Sequence, residues 1–265
     1  MDEDFSKYNP EGSILRKAQL RMLDILIEVD KICRKHKIEY FLDSGTLLGA
    51  VRHGGFIPWD DDLDICIRRE DWPRLRKVLQ EELPQNLCCQ DWTTEKNYPL
   101  SIAKVRDKNS IFNDPYSHMM KERGIYIDIF FVEPSVPKWL RDPIDFVYVR
   151  CIRGVNHYSE RFIEKFLGYV CYPPTILAVW MCRLWAKIVH RHMLGRQYGW
   201  SSRLYIASDC IFPTSEIQFE GHTFMAPNNV DEFLRVLYGD YMQIPPEEKR
   251  MTHLAEITFL DEEQK

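Results

Sequence analysis

The 265-residue sequence lacks the features that mark several common classes of protein. Its eight cysteines include no C-x₂-C pair, so no zinc site of that spacing is predicted, and a disulfide framework is unsupported in a reducing compartment. The N-terminal stretch MDEDFSKYNPEGS is acidic and has neither the basic nor the apolar segment of a secretory signal. We therefore expect a cytoplasmic protein that folds around a hydrophobic core, for which a hydrophobic content of 45% is sufficient.

Membrane-spanning segments and an overall excess of positive charge are also missing. A run of 17 residues, 166–182, carries no charge, but two prolines divide it and it falls short of the roughly 20 residues that a spanning helix needs. The formal net charge of −5 argues against nucleic acid as a partner. We predict neither a transmembrane protein nor a nucleic-acid-binding one.

The spacing of apolar residues alternates between helical and strand patterns along the chain. Apolar positions three or four residues apart predict helices over 13–33, 46–51 and 70–83. Short β-rich stretches predict strands at 39–43, 63–67, 86–91, 100–106 and 125–132. A hairpin turning at Glu220-Gly221 and a helix over 230–238 follow. The sequence thus predicts an α/β (α+β) fold with a mixed sheet flanked by helices.

The segment 138–203 differs in composition from the rest of the chain. It has eleven Lys or Arg against four Asp or Glu, a local charge of +7 that leaves −12 for the remainder. It is also rich in aromatic residues and mostly helical in pattern. Three interpretations are open: a helical subdomain that binds an anionic glycan, an interfacial element on an anionic membrane, or a cap whose basic face is only solvated.

Four aspartates lie within five positions of one another, at 60, 61, 62 and 64. Residues two apart in a strand face the same side, so Asp62 and Asp64 point one way while Leu63 and Ile65 point into the core. Such carboxylates repel one another unless a cation neutralises them or water separates them. A pair of this spacing suits Mg²⁺, which is typically held by one or two carboxylates and the phosphate oxygens of a substrate. The alternative is an acidic surface loop.

Two neighbouring features favour the metal site. Gly45 and Thr46 lie at a strand-to-helix junction, where a glycine permits close backbone approach and a helix N-terminus offers N–H groups to an anion. Asp128 is the lone acid of the apolar stretch IYIDIF, where a buried carboxylate needs a partner. A hydrogen-bonded or salt-bridged structural acid is the alternative for Asp128.

Four blocks of the sequence resemble the LicD family of phosphotransferases, which includes bacterial cholinephosphotransferases and, more distantly, the fukutin-type enzymes. The most specific is GTLLGAVRHGGFIPWDDDLDI at 45–65; the others are AKVRDKNS at 103–110, YIDIF at 126–130 and the stretch at 226–253. The segment 138–203 has no counterpart that we can identify. A glycine turn, a D-h-D pair and a later strand aspartate also follow the order of polymerase-β-type nucleotidyltransferase folds, so we expect a nucleotidyltransferase-like sheet.

The resemblance implies transfer of a phospho-substituent, such as phosphocholine, from a CDP-linked donor such as CDP-choline to a hydroxyl of a cell-surface glycan or its lipid-linked precursor. It implies that Asp62 and Asp64 hold Mg²⁺ or Mn²⁺, and that Asp128 completes the site as a third ligand or as the base for the acceptor proton. We expect a catalytic core at 1–137, a basic, aromatic insertion or cap at 138–203 and a C-terminal hairpin and helix at 204–265. Peripheral contact with the inner face of an anionic membrane is a further hypothesis.

Several cationic and aromatic residues are candidates for substrate contacts. Lys104 and Arg106 lie two apart on a predicted strand and are expected to clamp the donor diphosphate. Arg52 and His53 are candidates for the same role, and His53 also for proton transfer, since imidazole titrates near neutral pH. Each of these has an ordinary surface role as its alternative. Weaker candidates are Trp59, for stacking on cytosine or choline, Arg250 and His253.

Two other functions stay open on the sequence alone. A nucleotidyltransferase would keep the fold and release pyrophosphate instead of CMP. A non-catalytic glycan- or membrane-binding protein would keep the fold without the reaction, although such a protein has no need of several buried acids.

Overall fold

A computed structural model describes residues 5–95, 98, 100–113, 120–155, 162–200, 202–250 and 256–261. The helices of this part of the chain are α1 (Ile14–His36), α2 (Ser44–His53), α3 (Trp72–Glu82), α4 (Lys138–Val155), α5 (Phe162–Val189), α6 (Ser208–Ile211) and α7 (Val230–Tyr238). Its strands are β1 (Tyr40–Leu42), β2 (Asp64–Arg68), β3 (Leu87–Gln90), β4 (Ala103–Asp107), β5 (Ser110–Asn113), β6 (Tyr126–Pro134), β7 (Met193–Arg196), β8 (Tyr205–Ala207), β9 (Ser215–Phe219), β10 (His222–Ala226) and β11 (Glu256–Phe259).

Seven strands form one mixed sheet that is flanked by helices. Its order is β1-β2-β6-β4-β3, and β7 and β8 extend from the second half of β6. Only β2 and β6 run parallel to each other among the paired strands of the described residues; the other pairs are antiparallel. Two further antiparallel pairs, β9 with β10 and β5 with β11, lie outside this sheet. The fold is therefore mixed α/β, as the sequence predicts.

Helix α1 covers one face of the sheet because its apolar residues form a single stripe. Ser13 caps its N-terminus by accepting a hydrogen bond from the Arg16 amide at 3.2 Å. Ile25, Leu26 and Val29 are fully buried in the main core, together with the inward residues of β2, β4 and β6. Burial of such a stripe contributes about 25 cal/mol per Å² of apolar surface.

The helices and strands predicted for the first half of the chain all occur, with ends within three residues of the expected ones. The predicted hairpin is confirmed as β9 and β10, which turn at Glu220 (φ 49°) and Gly221 (φ 76°). Two consecutive positive φ angles match the right-handed twist of the flanking strands. Helix α7 has the predicted bounds and ends before Gly239.

The segment 138–203 is less uniformly helical than its pattern suggests. It contains α4 and α5, which pack against each other, but Met193–Arg196 is strand β7 of the main sheet. Helix α5 continues through Pro173 and Pro174, which the sequence suggested would divide this stretch. The Thr175 hydroxyl donates to the Cys171 carbonyl at 2.6 Å in the turn where the prolines lack N–H groups. In the part of the chain that is described, no helix has the length and apolarity required to cross a membrane.

Candidate active site

Three aspartates lie side by side at one edge of the main sheet. The parallel register of β2 and β6 places Asp64 opposite Asp128. Asp43 directly follows β1, and its amide donates to the Asp64 carbonyl at 3.0 Å. Because neighbouring strands are about 4.8 Å apart, the three residues share one small region. The sequence singled out Asp64 and Asp128, and the fold adds Asp43.

The loop between α2 and β2 brings two more carboxylates to this edge. The Asp60 and Asp62 side chains lie close together, so that burial and then the charge of Asp62 raise the pKa of Asp60. Gly45 makes this position possible: a Cβ there would lie 2.7 Å from Asp60 Oδ2 and 3.8 Å from Asp62 Oδ1. The close approach expected at Gly45 is thus made by carboxylates. We call the following residues the aspartate cluster: Asp43, Asp60, Asp61, Asp62, Asp64 and Asp128.

The first turn of α2 holds the cluster by hydrogen bonds. The Thr46 hydroxyl is buried and accepts from the Asp64 amide at 2.8 Å. The Ser44 amide donates to Asp43 Oδ1 at 2.8 Å, so a carboxylate of the chain caps this helix end. Thr46 therefore fixes the backbone from which the Asp64 side chain projects.

Two buried cations are paired with members of the cluster. Lys104 lies opposite Asp128 in the β4–β6 register, and its Nζ is 2.5 Å from Asp128 Oδ1. Arg196, on β7, makes a two-pronged contact with Asp43, in which NH2 lies 2.9 Å from Oδ1 and NH1 contacts Oδ2. Burial lowers the pKa of Arg196, but Asp43 outweighs this effect, so the pKa is raised overall.

The carboxylates of the cluster still repel one another with these cations in place. Burial, followed by the charges of Asp62 and Asp128, raises the pKa of Asp64 well above its ordinary value. Burial and the carboxylates of Asp62 and Asp61 raise the pKa of Asp60 in the same way. A shift of this direction means that the region favours the binding of further positive charge.

Arg106 is placed as a structural residue, although the sequence suggested a diphosphate clamp with Lys104. It is fully buried, and its Nε, NH1 and NH2 contact Gln90 Oε1, the Gly124 carbonyl and the Met120 sulfur at 2.5, 2.8 and 3.2 Å. In this conformation Arg106 supports the strands around Lys104, and its donors are directed to the protein.

Arg52 and His53 lie in the last turn of α2. Arg52 donates from NH1 to the carbonyls of Tyr241 and Gln243, both at 3.2 Å. Burial lowers its pKa, and the charges of Tyr238 and Asp60 counteract this effect. Arg52 is therefore electrostatically coupled to the cluster. Burial and the Arg52 charge lower the pKa of His53, which favours neutral imidazole.

Trp59 is a packing residue of an aromatic group beside His53. Its ring centroid lies 5.8 Å from Phe5, 5.2 Å from Tyr8 and 6.1 Å from His53. The Arg250 guanidinium lies 5.1 Å from the Trp59 ring centroid. The Trp59 ring is buried, so stacking on a substrate would need this group to open. His253, the other weak candidate, lies outside the described residues.

Comparison with known proteins identifies the domain that contains the cluster. Residues 37–148, which include every member of the aspartate cluster, match the family model described as "LicD/FKTN/FKRP, nucleotidyltransferase domain". The chain is also 28% identical over 275 residues to the lipopolysaccharide cholinephosphotransferase LicD of Haemophilus influenzae, an alignment that covers 93% of this chain and 98% of that protein. Residues 37–148 are therefore a LicD-family domain, and the whole aspartate cluster lies within it.

Shorter matches extend the relationship. The chain is 42% identical over 80 residues to the uncharacterized protein RP689 of Rickettsia prowazekii, covering 30% of this chain and 29% of that one. It is 56% identical over 34 residues to the ribitol 5-phosphate transferase FKRP of Homo sapiens, covering 13% of this chain and 7% of that protein.

Four residues near the LicD-family site were not found from the sequence. In the sequence Asp43 and Arg196 are indistinguishable from ordinary polar residues, and only the positions of β1 and β7 show that they are in contact. Tyr238 ends α7, and burial and the charge of Asp43 are the largest causes that raise its pKa. Tyr98 is buried, its pKa is raised by burial and by Asp128, and its hydroxyl has no hydrogen-bond partner among the described residues. A lone tyrosine in a loop or at a helix end carries no signal that would reveal this placement.

The residue types of the LicD-family cluster fit a hard divalent cation. Asp62, Asp64 and Asp128 would supply carboxylate oxygens, which Mg²⁺ and Mn²⁺ prefer. No three His, Cys, Asp or Glu side chains of the described ranges are grouped so that they could hold a metal ion in this conformation. Asp128 is paired with Lys104 instead. Lys104 would have to release Asp128 before this carboxylate could become a ligand.

Proposed function

We propose that this protein transfers a phospho-substituent, phosphocholine or a similar polyol or amino-alcohol phosphate, from a CDP-linked donor to a hydroxyl of a glycan or its lipid-linked precursor. The observation that carries the proposal is the aspartate cluster, in which burial and mutual repulsion raise the pKa values of Asp60 and Asp64. Support also comes from the relatives named cholinephosphotransferase and ribitol 5-phosphate transferase.

We propose that the mixed sheet is a polymerase-β-type nucleotidyltransferase sheet. Support comes from the order of the glycine turn, the D-h-D pair and the later strand aspartate, and from the adjacency of Asp64 and Asp128 on parallel strands. The family description also contains the term nucleotidyltransferase domain. On this proposal the reaction centre lies at the edge of the sheet where Asp62, Asp64 and Asp128 come together.

We propose that Mg²⁺ or Mn²⁺ is the cofactor and that Asp62, Asp64 and Asp128 hold it. When bound, a divalent ion supplies positive charge for the diphosphate and for the charge that builds on the leaving phosphate. Thr46 positions Asp64 through its hydrogen bond to the amide, and Gly45 leaves room for Asp60 and Asp62.

In the proposed reaction the acceptor oxygen attacks the phosphorus that carries the substituent. A new P–O bond forms to the acceptor, the bond from this phosphorus to the bridging oxygen breaks, and CMP leaves with the electron pair. Asp128 accepts the acceptor proton unless it serves as a ligand. Lys104, once released from Asp128, donates to the diphosphate. Arg52, which is electrostatically coupled to Asp60, is a second candidate donor to this group.

³¹P NMR tests the proposal directly. The purified protein is incubated with Mg²⁺ or Mn²⁺ and CDP-choline, CDP-glycerol or CDP-ribitol in turn, and CMP is expected from one of them. Asp64→Asn should abolish CMP formation, whereas Asp24→Asn, an exposed acid on α1, should not. Pyrophosphate release from a nucleoside triphosphate, without CMP from any donor, would instead support a nucleotidyltransferase. No turnover in either assay with a glycan acceptor present would favour a binding protein.

We also propose that the acceptor is reached at an anionic membrane to which the protein attaches peripherally on the inner face. The basic and aromatic composition of 138–203 supports this attachment. Nucleic acid is not a proposed partner, because the remainder of the chain carries a charge of −12.

A further inference from the structure

Helix α5 is apolar on nearly all sides but buries only one stripe. Its buried residues are Gly168, Thr175, Val179, Cys182 and Ala186 among the positions whose side chains are described. Outside this stripe Phe162, Trp180 and Ile188 are 79%, 59% and 72% exposed. A helix that is apolar all round is normally covered on every side. An apolar surface of this extent, about 42 Å long for 28 residues, indicates a binding face.

A cavity with an excess of positive charge adjoins this surface. Its volume is about 480 Å³, and Trp180 and Leu184 of α5 form part of its wall. Five cationic side chains line it against two acidic ones, Glu70 and Glu133; the cations are Arg68, Arg69, Arg183, Lys187 and Arg191. The cavity therefore presents apolar and cationic groups side by side.

The charges within this cavity are incompletely balanced. Arg183 Nε lies 3.0 Å and Arg69 Nε 3.5 Å from the same oxygen of Glu133, so two guanidinium groups share one carboxylate. Lys187 and Arg191 form no salt bridge with any residue that the structure describes. An anion entering the cavity would meet donors that the protein itself does not satisfy.

The cavity is separate from the aspartate cluster. It lies at the ends of β2 and β6, where Arg68 and Glu133 line it, whereas Asp64 and Asp128 lie near the beginnings of these strands. Five residues of strand between Asp128 and Glu133 span about 16 Å. The cavity is therefore a second site and not a part of the proposed reaction centre.

We propose that the cavity binds the phosphate of an anionic phospholipid head group while the exposed face of α5 lies in the bilayer interface. This inference rests on the proposed membrane attachment and not on the transfer chemistry. Trp180 and Trp185 beside Lys187 and Arg191 form the combination of aromatic and cationic side chains that suits the interface of an anionic bilayer. The local charge of +7 in 138–203 complements such a surface.

A second copy of the chain fits this face less well than a bilayer. A two-fold interface places the same patch on both partners, so the uncompensated cations around α5 would approach their own copies. Like charges brought together at a protein interface oppose its formation. A bilayer offers phosphates to the cations and acyl chains to the apolar face at the same time.

Vesicle flotation of the full chain tests the head-group site. Vesicles of phosphatidylcholine alone are compared with vesicles that also contain phosphatidylglycerol, with no nucleotide present, so the result is independent of the transfer reaction. Wild-type protein should float with the anionic vesicles. The double variant Lys187→Gln and Arg191→Gln should bind them roughly 30-fold more weakly, since each cation contributes about fivefold. The control is the double variant Lys31→Gln and Lys77→Gln, at exposed positions of α1 and α3. It should bind the anionic vesicles as tightly as wild type does.

Fluorescence tests the position of α5. Brominated acyl chains in the anionic vesicles should quench the tryptophan fluorescence of the protein. Most of this quenching should be absent from the double variant Trp180→Phe and Trp185→Phe. Equal binding to both kinds of vesicle would overturn the head-group site, and failure to float with the anionic vesicles would overturn the whole inference. Concentration-dependent self-association that Trp180→Glu abolishes, without vesicle binding, would identify the face as a contact between copies instead.

Discussion

Replacing Arg196 by methionine should destabilise the protein far more than the loss of one ordinary surface charge pair. Arg196 is 2% exposed, Asp43 is fully buried, and the guanidinium contacts both oxygens of this carboxylate. Methionine retains much of the apolar contact but leaves Asp43 unpaired next to Asp64. A buried carboxylate that loses its cation cannot be rehydrated without opening the core.

The size of the effect follows from this burial. Removing one partner of a buried ion pair costs about 3–5 kcal/mol, which corresponds to a fall in Tm of roughly 10 °C for a chain of this size. The double variant Asp43→Asn and Arg196→Met removes both charges and should recover most of this loss. Arg235→Met is the matched control, because Arg235 and Asp231 form a pair with side chains 63% and 57% exposed. Solvent screens such an exposed pair, so its loss should change stability very little.

Urea unfolding of wild type and the three variants, followed by circular dichroism, measures these differences. We expect a large loss of stability for Arg196→Met, a small loss for Arg235→Met and a partial recovery in the double variant. A loss for Arg196→Met as small as that for Arg235→Met would show that Asp43 does not depend on its partner. A double variant no more stable than the single one would refute the charge argument and point to packing.

Three further predictions concern the cluster. Without metal, Asp64→Asn should be more stable than wild type at pH 8 in urea titrations, and this difference in unfolding free energy should shrink toward pH 5. Burial and nearby carboxylates raise the pKa of Asp64 in the folded state above that in the unfolded state. Wild type therefore loses stability as the pH rises from the unfolded-state pKa toward the folded-state pKa. A constant gap would contradict this. Thr46→Val leaves the buried Asp64 amide unpaired and should cost about 1–3 kcal/mol in urea, whereas Thr46→Ser should cost less. Gly45→Ala sets a methyl group 2.7 Å from Asp60 Oδ2 and should slow CMP release about 100-fold with an unchanged dichroism spectrum; full activity would argue against this packing.

Local sequence patterns predicted the parts of the fold that depend on neighbouring residues. The β-rich stretch after Leu63 and the apolar stretch around Asp128 correctly indicated two buried strands with Asp64 and Asp128 near their beginnings, whereas Asp62 lies in the loop before β2 and not on the strand. Gly221 marked a turn that depends on its immediate neighbours, whereas the close approach at Gly45 is made by Asp60 and Asp62, from the loop that follows α2. The parallel register that places Asp64 beside Asp128 was not predictable from either strand alone.

Contacts between distant parts of the chain could not be predicted in this way. Arg196 and Asp43 are 153 positions apart, and nothing near Arg196 distinguishes it from the other cations of a basic segment. Arg106 and Lys104 lie two residues apart on the same strand and therefore share a face of it. The Arg106 side chain nevertheless contacts Gln90 and Gly124, whereas the Lys104 side chain contacts Asp128. Strand alternation fixes the face on which a side chain lies, but its partner depends on which strand and loop pack next to it.

In the proposed reaction the acceptor attacks the phosphorus that carries the substituent, and isotope labelling distinguishes this phosphorus from that of CMP. The protein is incubated with Mg²⁺ and CDP-choline in H₂¹⁸O without an acceptor, so that water replaces the glycan hydroxyl, and the products are analysed by mass spectrometry and ³¹P NMR. We expect ¹⁸O in phosphocholine and none in CMP, and neither product with Asp64→Asn. Label in CMP would instead place the attack on the nucleotide phosphorus and overturn the proposed reaction.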